Sequence, residues 1–335
     1  MITRTHPALQ SATWQQALAD AVSDPAELLA LLDLPATLLP GTRGGARQFP
    51  LRVPRGYVAR MRPGDPDDPL LRQVLPWHED LSPTPGFVTD PVGDLEAMPV
   101  PGLLHKYHGR VLLVATGACA IHCRYCFRRH FPYAEAHAAP QQWQAALAYI
   151  RQDSSIEEVI LSGGDPLSLT DRRLADLAHA LADIPHLRRL RIHTRQPIVL
   201  PERVDAALLD WLTASPLQKV IVLHCNHPNE LDAPVRAALR ALRDTGATLL
   251  NQAVLLRGVN DHLDALSRLS RELFAAGVLP YYLHLLDRVT GAAHFEVSEG
   301  EALTLHARLN GLLPGYLVTR LVREVPGARS KLPVT

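Results

Sequence analysis

From Val111 to near the C-terminus, short runs of β-branched and apolar residues alternate with longer amphipathic stretches. The strand candidates are VLLVAT from 111, EEVILS from 157, RLRIHT from 189, KVIVLH from 219, TLLNQAVL from 248, PYYLHL from 280 and YLVTRLV from 316. Between them lie Gln141 to Ile150, Asp171 to Ala182, Val204 to Leu212, Pro234 to Asp244, Leu263 to Ala276 and Glu299 to Asn310, each patterned to bury one helical face. Parallel strands need helical crossovers, so six strand-then-helix units at near-regular spacing predict an α/β fold built as a partial (β/α)6 barrel. A Rossmann sheet is the alternative, although no G-x-G-x-x-G follows the first strand. In a barrel, chemistry gathers where the strands end.

The first hundred residues break this rhythm. A helical stretch from Trp14 to Leu32 leads into a segment rich in proline, glycine and arginine from Pro40 to Pro101. Residues 1–100 are therefore expected as a helical cap with a wrapping arm, 101–290 as the barrel and 291–335 as a C-terminal segment. The arginines of the arm (Arg43, Arg47, Arg52, Arg55, Arg60 and Arg62) read as a solvated face, with an acidic partner or RNA as the lesser alternative.

Composition narrows the class without naming it. With 335 residues, 47% of them hydrophobic, the chain can bury a large core. Lysine plus arginine and aspartate plus glutamate number 34 each, so no overall field favours nucleic acid or an anionic membrane. The N-terminus lacks a signal-peptide pattern and nothing approaches the ~18 apolar residues of a membrane span. A soluble cytoplasmic protein without direct nucleic-acid binding is expected.

Three of the four cysteines, Cys119, Cys123 and Cys126, fall in the segment CAIHCRYC, directly after the first barrel strand. This is a ligand pattern rather than a disulfide framework. Three thiolates can hold three corners of a cubane and leave one iron without a protein ligand. A closed zinc site would need a fourth ligand such as His122 or His130. Cys225, in an apolar-flanked run, is expected as a small buried side chain.

The C-x3-C-x2-C spacing with Tyr125 before its last cysteine resembles the radical S-adenosylmethionine (SAM) superfamily. That resemblance implies a 4Fe-4S cluster on Cys119, Cys123 and Cys126, SAM on the open iron, and a 5′-deoxyadenosyl radical. It also implies that Tyr125 packs near the adenine. Gly163, Gly164 and Asp165, at the end of the second strand, look like the superfamily's turn that meets the SAM amino group.

Further segments resemble the lysine 2,3-aminomutase family within that superfamily. PGARSKLPV, ending at Val334, is similar to its coenzyme-lysine segment, which implies Lys331 as the Schiff-base lysine of pyridoxal 5′-phosphate (PLP). Ala328, Arg329 and Ser330 stand where that family has glycines. HKYHGR implies phosphate contacts for Lys106 and Arg110 and a ring contact for Tyr107, with a lysine in place of the family's arginine. His224 and Gln252 fall at SAM-facing positions; His224 with His227 reads alternatively, and weakly, as a metal pair. Arg128 matches the position that binds the substrate carboxylate. Asp287 and Glu324 match those holding the side-chain ammonium of L-lysine, Glu324 replacing an aspartate of the clostridial-type enzymes.

The resemblance reaches from about Trp14 to the last residues. It implies an intramolecular aminotransferase converting (S)-α-lysine to (R)-β-lysine. The arm LRVPRGYVARM with GDPDDPLLRQVL, and the end four residues past Lys331, are most similar to the bacterial enzymes that supply β-lysine for elongation factor P. That implies a lysyl-ligase using the product, an electron donor such as flavodoxin or ferredoxin, and no C-terminal zinc site. A free-lysine aminomutase, a radical SAM enzyme without PLP, and a zinc or RNA-binding module remain as alternatives.

Overall fold

The computed structural model describes residues 13–47, 49–133 and 140–335, with side chains at 140–142 excepted. Among the described residues, nine strands form one open mixed sheet in sequence order. The strands are β1 (Leu103–Tyr107), β2 (Arg110–Thr116), β3 (Glu158–Gly163), β4 (Arg189–Thr194), β5 (Gln218–Leu223), β6 (Thr248–Val254), β7 (Leu279–His284), β8 (Arg320–Arg323) and β9 (Leu332–Pro333). β2 through β8 run parallel, while β1 and β9 pair antiparallel at the two edges, so the barrel does not close.

Six crossovers carry the helices expected from periodicity. The N-terminal region contributes α1 (Trp14–Ala19), α2 (Pro25–Leu31), α3 (Leu39–Ala46), α4 (Arg55–Val58) and α5 (Pro69–Arg72). The crossovers then contribute α6 (Pro140–Gln152), α7 (Asp171–Ala182), α8 (Gln196–Val199), α9 (Ala206–Ala214), α10 (Ala233–Asp244), α11 (Leu263–Ala275) and α12 (Glu299–Leu312). On α10, Val235, Ala238, Leu239 and Leu242 are buried at i, i+3, i+4 and i+7, and Asp232 caps its start by accepting from the Val235 amide. β3 is buried along its whole length, as a strand covered on both faces must be. Residues 291–335 supply the last crossover helix and the last two strands of the same sheet.

Two local expectations change. The stretch from Trp14 to Leu32 is two helices, because Asp24 caps a new start and Pro25 occupies its first turn. Between them Val22 bridges to Val53, docking the arm. The final strand is shorter than expected, since Gly315–Leu317 form a 3-10 turn. Arginines of the arm fasten it down: Arg60 donates to the Ile198 and Glu230 carbonyls and Arg52 to the Leu18 carbonyl. Among the described residues no helix is long and apolar enough to cross a membrane.

Candidate active site

The C-terminal ends of the parallel strands open onto one cavity of about 380 Å³. Every side chain expected at the site lines it, including Lys331 from the far end of the chain. The sheet explains this convergence: β2 leads into the cysteines, β3 into Gly163 and Gly164, β5 into His224, β7 into Asp287 and β8 into Glu324.

The cysteine loop is clamped by the arm. The His122 amide donates to the Arg52 carbonyl and the Arg124 amide to the Gln73 carbonyl. Arg124 forks onto Asp80, with Nε and Nη2 at 3.1 and 2.9 Å from Oδ1. Cys119, Cys123 and Cys126 are free and partly buried, and among the described residues no three acidic, cysteine or histidine side chains converge on a position for a single metal ion. His122 and His130, the recruits for a zinc site, face the Pro50 and Thr290 carbonyls. The three thiols come from the one loop that follows β2, an arrangement suited to three corners of a cubane cluster. Cys225 is fully buried outside the cavity lining. His227 Nδ1 accepts from the Asn229 amide and caps the 3-10 turn Pro228–Glu230.

Gly163 and Gly164 serve a close approach of the chain to itself. Gly163 has φ 118°, and a Cβ on Gly164 would lie 2.4 Å from the Ala118 carbonyl oxygen. The Gly164 and Asp165 amides donate to the Thr116 and Ala118 carbonyls, locking the turn after β3 to the strand end that launches the cysteines. The Asp165 carboxylate is committed to protein donors: the Leu167, Arg195 and Gln196 amides and the Thr194 hydroxyl, all between 2.7 and 3.1 Å.

Arg195 is a site residue not singled out from sequence, although it sits in the HTRQP segment. Its buried guanidinium donates to the Cys123 sulfur and Tyr125 hydroxyl at 2.7 Å, and to Glu230 at 3.0 Å. Tyr125 also accepts from Asn226 at 2.7 Å and meets Phe295 edge to face. His224 contacts Gln252 at 3.1 Å. Burial, then the charge of Arg195, lowers the His224 pKa to about 3, and burial first also holds His193 and His284 well below the usual range. All three line the cavity as neutral imidazoles.

Beyond them runs a chain of alternating charges. Arg128 donates to Ser162 at 3.1 Å and to Asp94 at 2.7 Å. Lys106 lies 2.6 Å from Asp94, 3.2 Å from Glu324 and 2.7 Å from the Val92 carbonyl, and Lys331 lies 2.5 Å from Glu324. Asp94 is a second residue the sequence did not flag. Lys106, expected at a phosphate, thus has all three ammonium hydrogens engaged. The Arg110 side chain makes no hydrogen bond or ion pair among the described residues and lies over the Tyr107 ring at 4.8 Å, so its donors are uncommitted. Asp287 is forced toward its neutral form: burial, then the Glu324 charge, raises its pKa to about 7.

Three free cysteines on the cavity lining of an open parallel barrel fit a radical SAM enzyme, and residues 113–269 match the Radical SAM superfamily. The class works with a 4Fe-4S cluster and SAM, and so does this enzyme. The chain is 52% identical to an L-lysine 2,3-aminomutase of Escherichia coli K12, over 96% of this chain and 94% of that protein. It is 48% identical to one of Haemophilus influenzae over 95% and 94%, and 36% identical to one of Clostridium subterminale over 83% and 67%. It belongs to the L-lysine 2,3-aminomutase family and is an isomerase.

Proposed function

We propose that this enzyme converts (S)-α-lysine to (R)-β-lysine, with PLP tethered through Lys331 in the same cavity as the cysteine-held cluster. When bound, the cluster and SAM supply a hydrogen-abstracting radical and PLP supplies the conjugation through which nitrogen migrates. The observation that carries the reading is the presence of Lys331 and the cysteine trio on the lining of one cavity, from segments some two hundred residues apart. Arg110 and Tyr107 are the residues to hold the coenzyme's phosphate and ring. Tyr125, the Gly163–Gly164 turn with Asp165, His224 and Gln252 are those to hold SAM.

The charges suit L-lysine end for end. Arg128 presents a guanidinium to the carboxylate. Asp287 and Glu324 present acids to the side-chain ammonium and would repel an acidic side chain. The neutral histidines on the same cavity lining add polarity without a charge that would compete for either end. The arm's resemblance to the enzymes that serve elongation factor P supports that protein, through a lysyl-ligase, as the product's destination, and flavodoxin or ferredoxin as electron donor.

Anaerobic protein reconstituted with iron, sulfide, PLP, SAM and a reductant should form β-lysine from L-lysine. Lys331→Ala should abolish turnover while keeping the wild-type iron content. Wild-type protein that consumes SAM and leaves lysine unchanged overturns the reading.

A further inference from the structure

We propose that Asp94, on the N-terminal arm, is the positioning residue for Arg128, fixing the guanidinium so that its outer edge receives the substrate carboxylate. The inference rests on the lysine reading above.

Asp94 comes from outside the barrel. Its segment is organised by Asp90, whose carboxylate accepts from the Asp94 and Leu95 amides at 3.0 Å. Gly93 has φ 66° and presses toward the loop that carries Lys331: a Cβ there would lie 3.2 Å from Pro326 Cβ. The arm therefore inserts one carboxylate between the cysteine segment and the C-terminal loop. Asp94 is 2% exposed, and a buried carboxylate must find partners. It has two: Oδ2 takes the Arg128 Nε hydrogen and Oδ1 takes Lys106. Burial alone would raise its pKa, but Arg128 and Lys106 outweigh burial and hold it below the usual carboxylate range.

The donor arithmetic gives the function. A guanidinium has five N–H donors in a rigid fork. Asp94 takes the one on Nε and Ser162 takes one on Nη1, which leaves both hydrogens of Nη2 and one of Nη1. Those are the donors that grip a carboxylate with two parallel bonds. Without the anchor at Nε the side chain is free to turn toward Glu324 or Asp287, and the fork is lost. The second oxygen of Asp94 keeps Lys106 occupied, so the substrate carboxylate meets one uncommitted fork rather than two competing cations.

The test compares L-lysine with L-lysinamide, which keeps both amines and lacks the carboxylate. In Asp94→Asn the KM for lysine should rise roughly tenfold, the worth of one charge-assisted hydrogen bond, with kcat changed much less. The inhibition constant of lysinamide should stay within about twofold, since it does not use the fork. Loss of affinity for both alike, or for neither, overturns the inference. Should Asp94→Asn fail to accumulate, Asp94→Glu carries the same comparison through a carboxylate displaced by one methylene, and an unchanged lysine-to-lysinamide ratio overturns it. Wild-type protein that does not turn over lysine overturns the functional reading, and the inference with it. An active wild type with an unaffected variant overturns the inference alone.

Discussion

Glu324 and Lys331 are seven residues apart in the chain and 2.5 Å apart in space, carboxylate against ammonium. The pairing of β8 with β9 folds the intervening loop back so that the two face each other on the cavity lining. Burial by itself would raise the Glu324 pKa, yet Lys331 and then Lys106 overcome it and hold the carboxyl low. Glu324→Ala therefore leaves two cations without their shared anion. We expect cofactor-free Glu324→Ala to lose about 1–3 kcal/mol in urea unfolding at neutral pH, given that the pair is mostly rather than fully buried. Because its folded pKa is depressed, the stability Glu324 contributes is present above its ordinary value of 4.5 and fades as pH falls through the folded value. A loss equal at pH 7 and at pH 3 would contradict the pairing.

Asp287 gives the opposite sign. Its pKa is raised to about 7 from 3.8, so the folded protein holds this proton more tightly than the unfolded chain does. The stability advantage of the protonated form is complete below 3.8 and is lost as pH rises through about 7. Asp287→Asn should remove that dependence, making the cofactor-free variant more stable than wild type at pH 8 by up to a few kcal/mol. An ammonium arriving beside Asp287 favours its charged form, so the KM for lysine should fall as pH rises through about 7 and flatten above it. A KM that climbs across that interval would remove Asp287 from lysine binding.

Gly164 turns a contact into a prediction about the cluster. An added methyl would meet the Ala118 oxygen at 2.4 Å and the Gly117 carbonyl carbon at 2.7 Å, backbone atoms that cannot step aside without moving the cysteine loop. Gly164→Ala should therefore reconstitute with far less iron and sulfide than wild type, even where circular dichroism shows the helices intact. Full metal content would mean that the loop tolerates the shift.

The barrel is legible because most of its strands and crossover helices are long enough to show their own period; the sequence pattern predicts α7 to the residue. The edge strands are not. β9 has two residues, too few for any alternation, and β1 completes a hairpin whose turn, His108 and Gly109, lies within a segment the sequence offers as a phosphate motif. The cysteines and Lys331 were marked by local spacing and by resemblance, whereas Asp94 and Arg195 carry no local mark. Asp94 reaches Arg128 across 34 residues and Arg195 reaches Cys123 across 72, and such pairs exist only once the arm has wrapped and the barrel has formed. The same holds for Lys106: its identity was visible, its engagement by Asp94 and Glu324 was not.

The arm is best tested where it grips the cysteine segment. Asp80 has no exposed side-chain surface, and Arg124, only 8% exposed, lies 2.9 Å from it. Arg124 also donates to the Arg72 carbonyl, so one guanidinium ties α5 and the residues after it to the loop between Cys123 and Cys126. Removing the anion strands a buried cation, which costs far more than the pair contributes when intact. Asp80→Ala should destabilise the protein by about 3–5 kcal/mol in urea, and Asp80→Asn, which keeps an acceptor, by less. The double variant Asp80→Ala with Arg124→Met, which removes both charges, should be milder than Asp80→Ala alone because the buried Arg124–Asp80 pair then leaves no ion unpaired. Equal losses in Asp80→Ala and in the double variant would show that packing rather than charge holds the arm at this point.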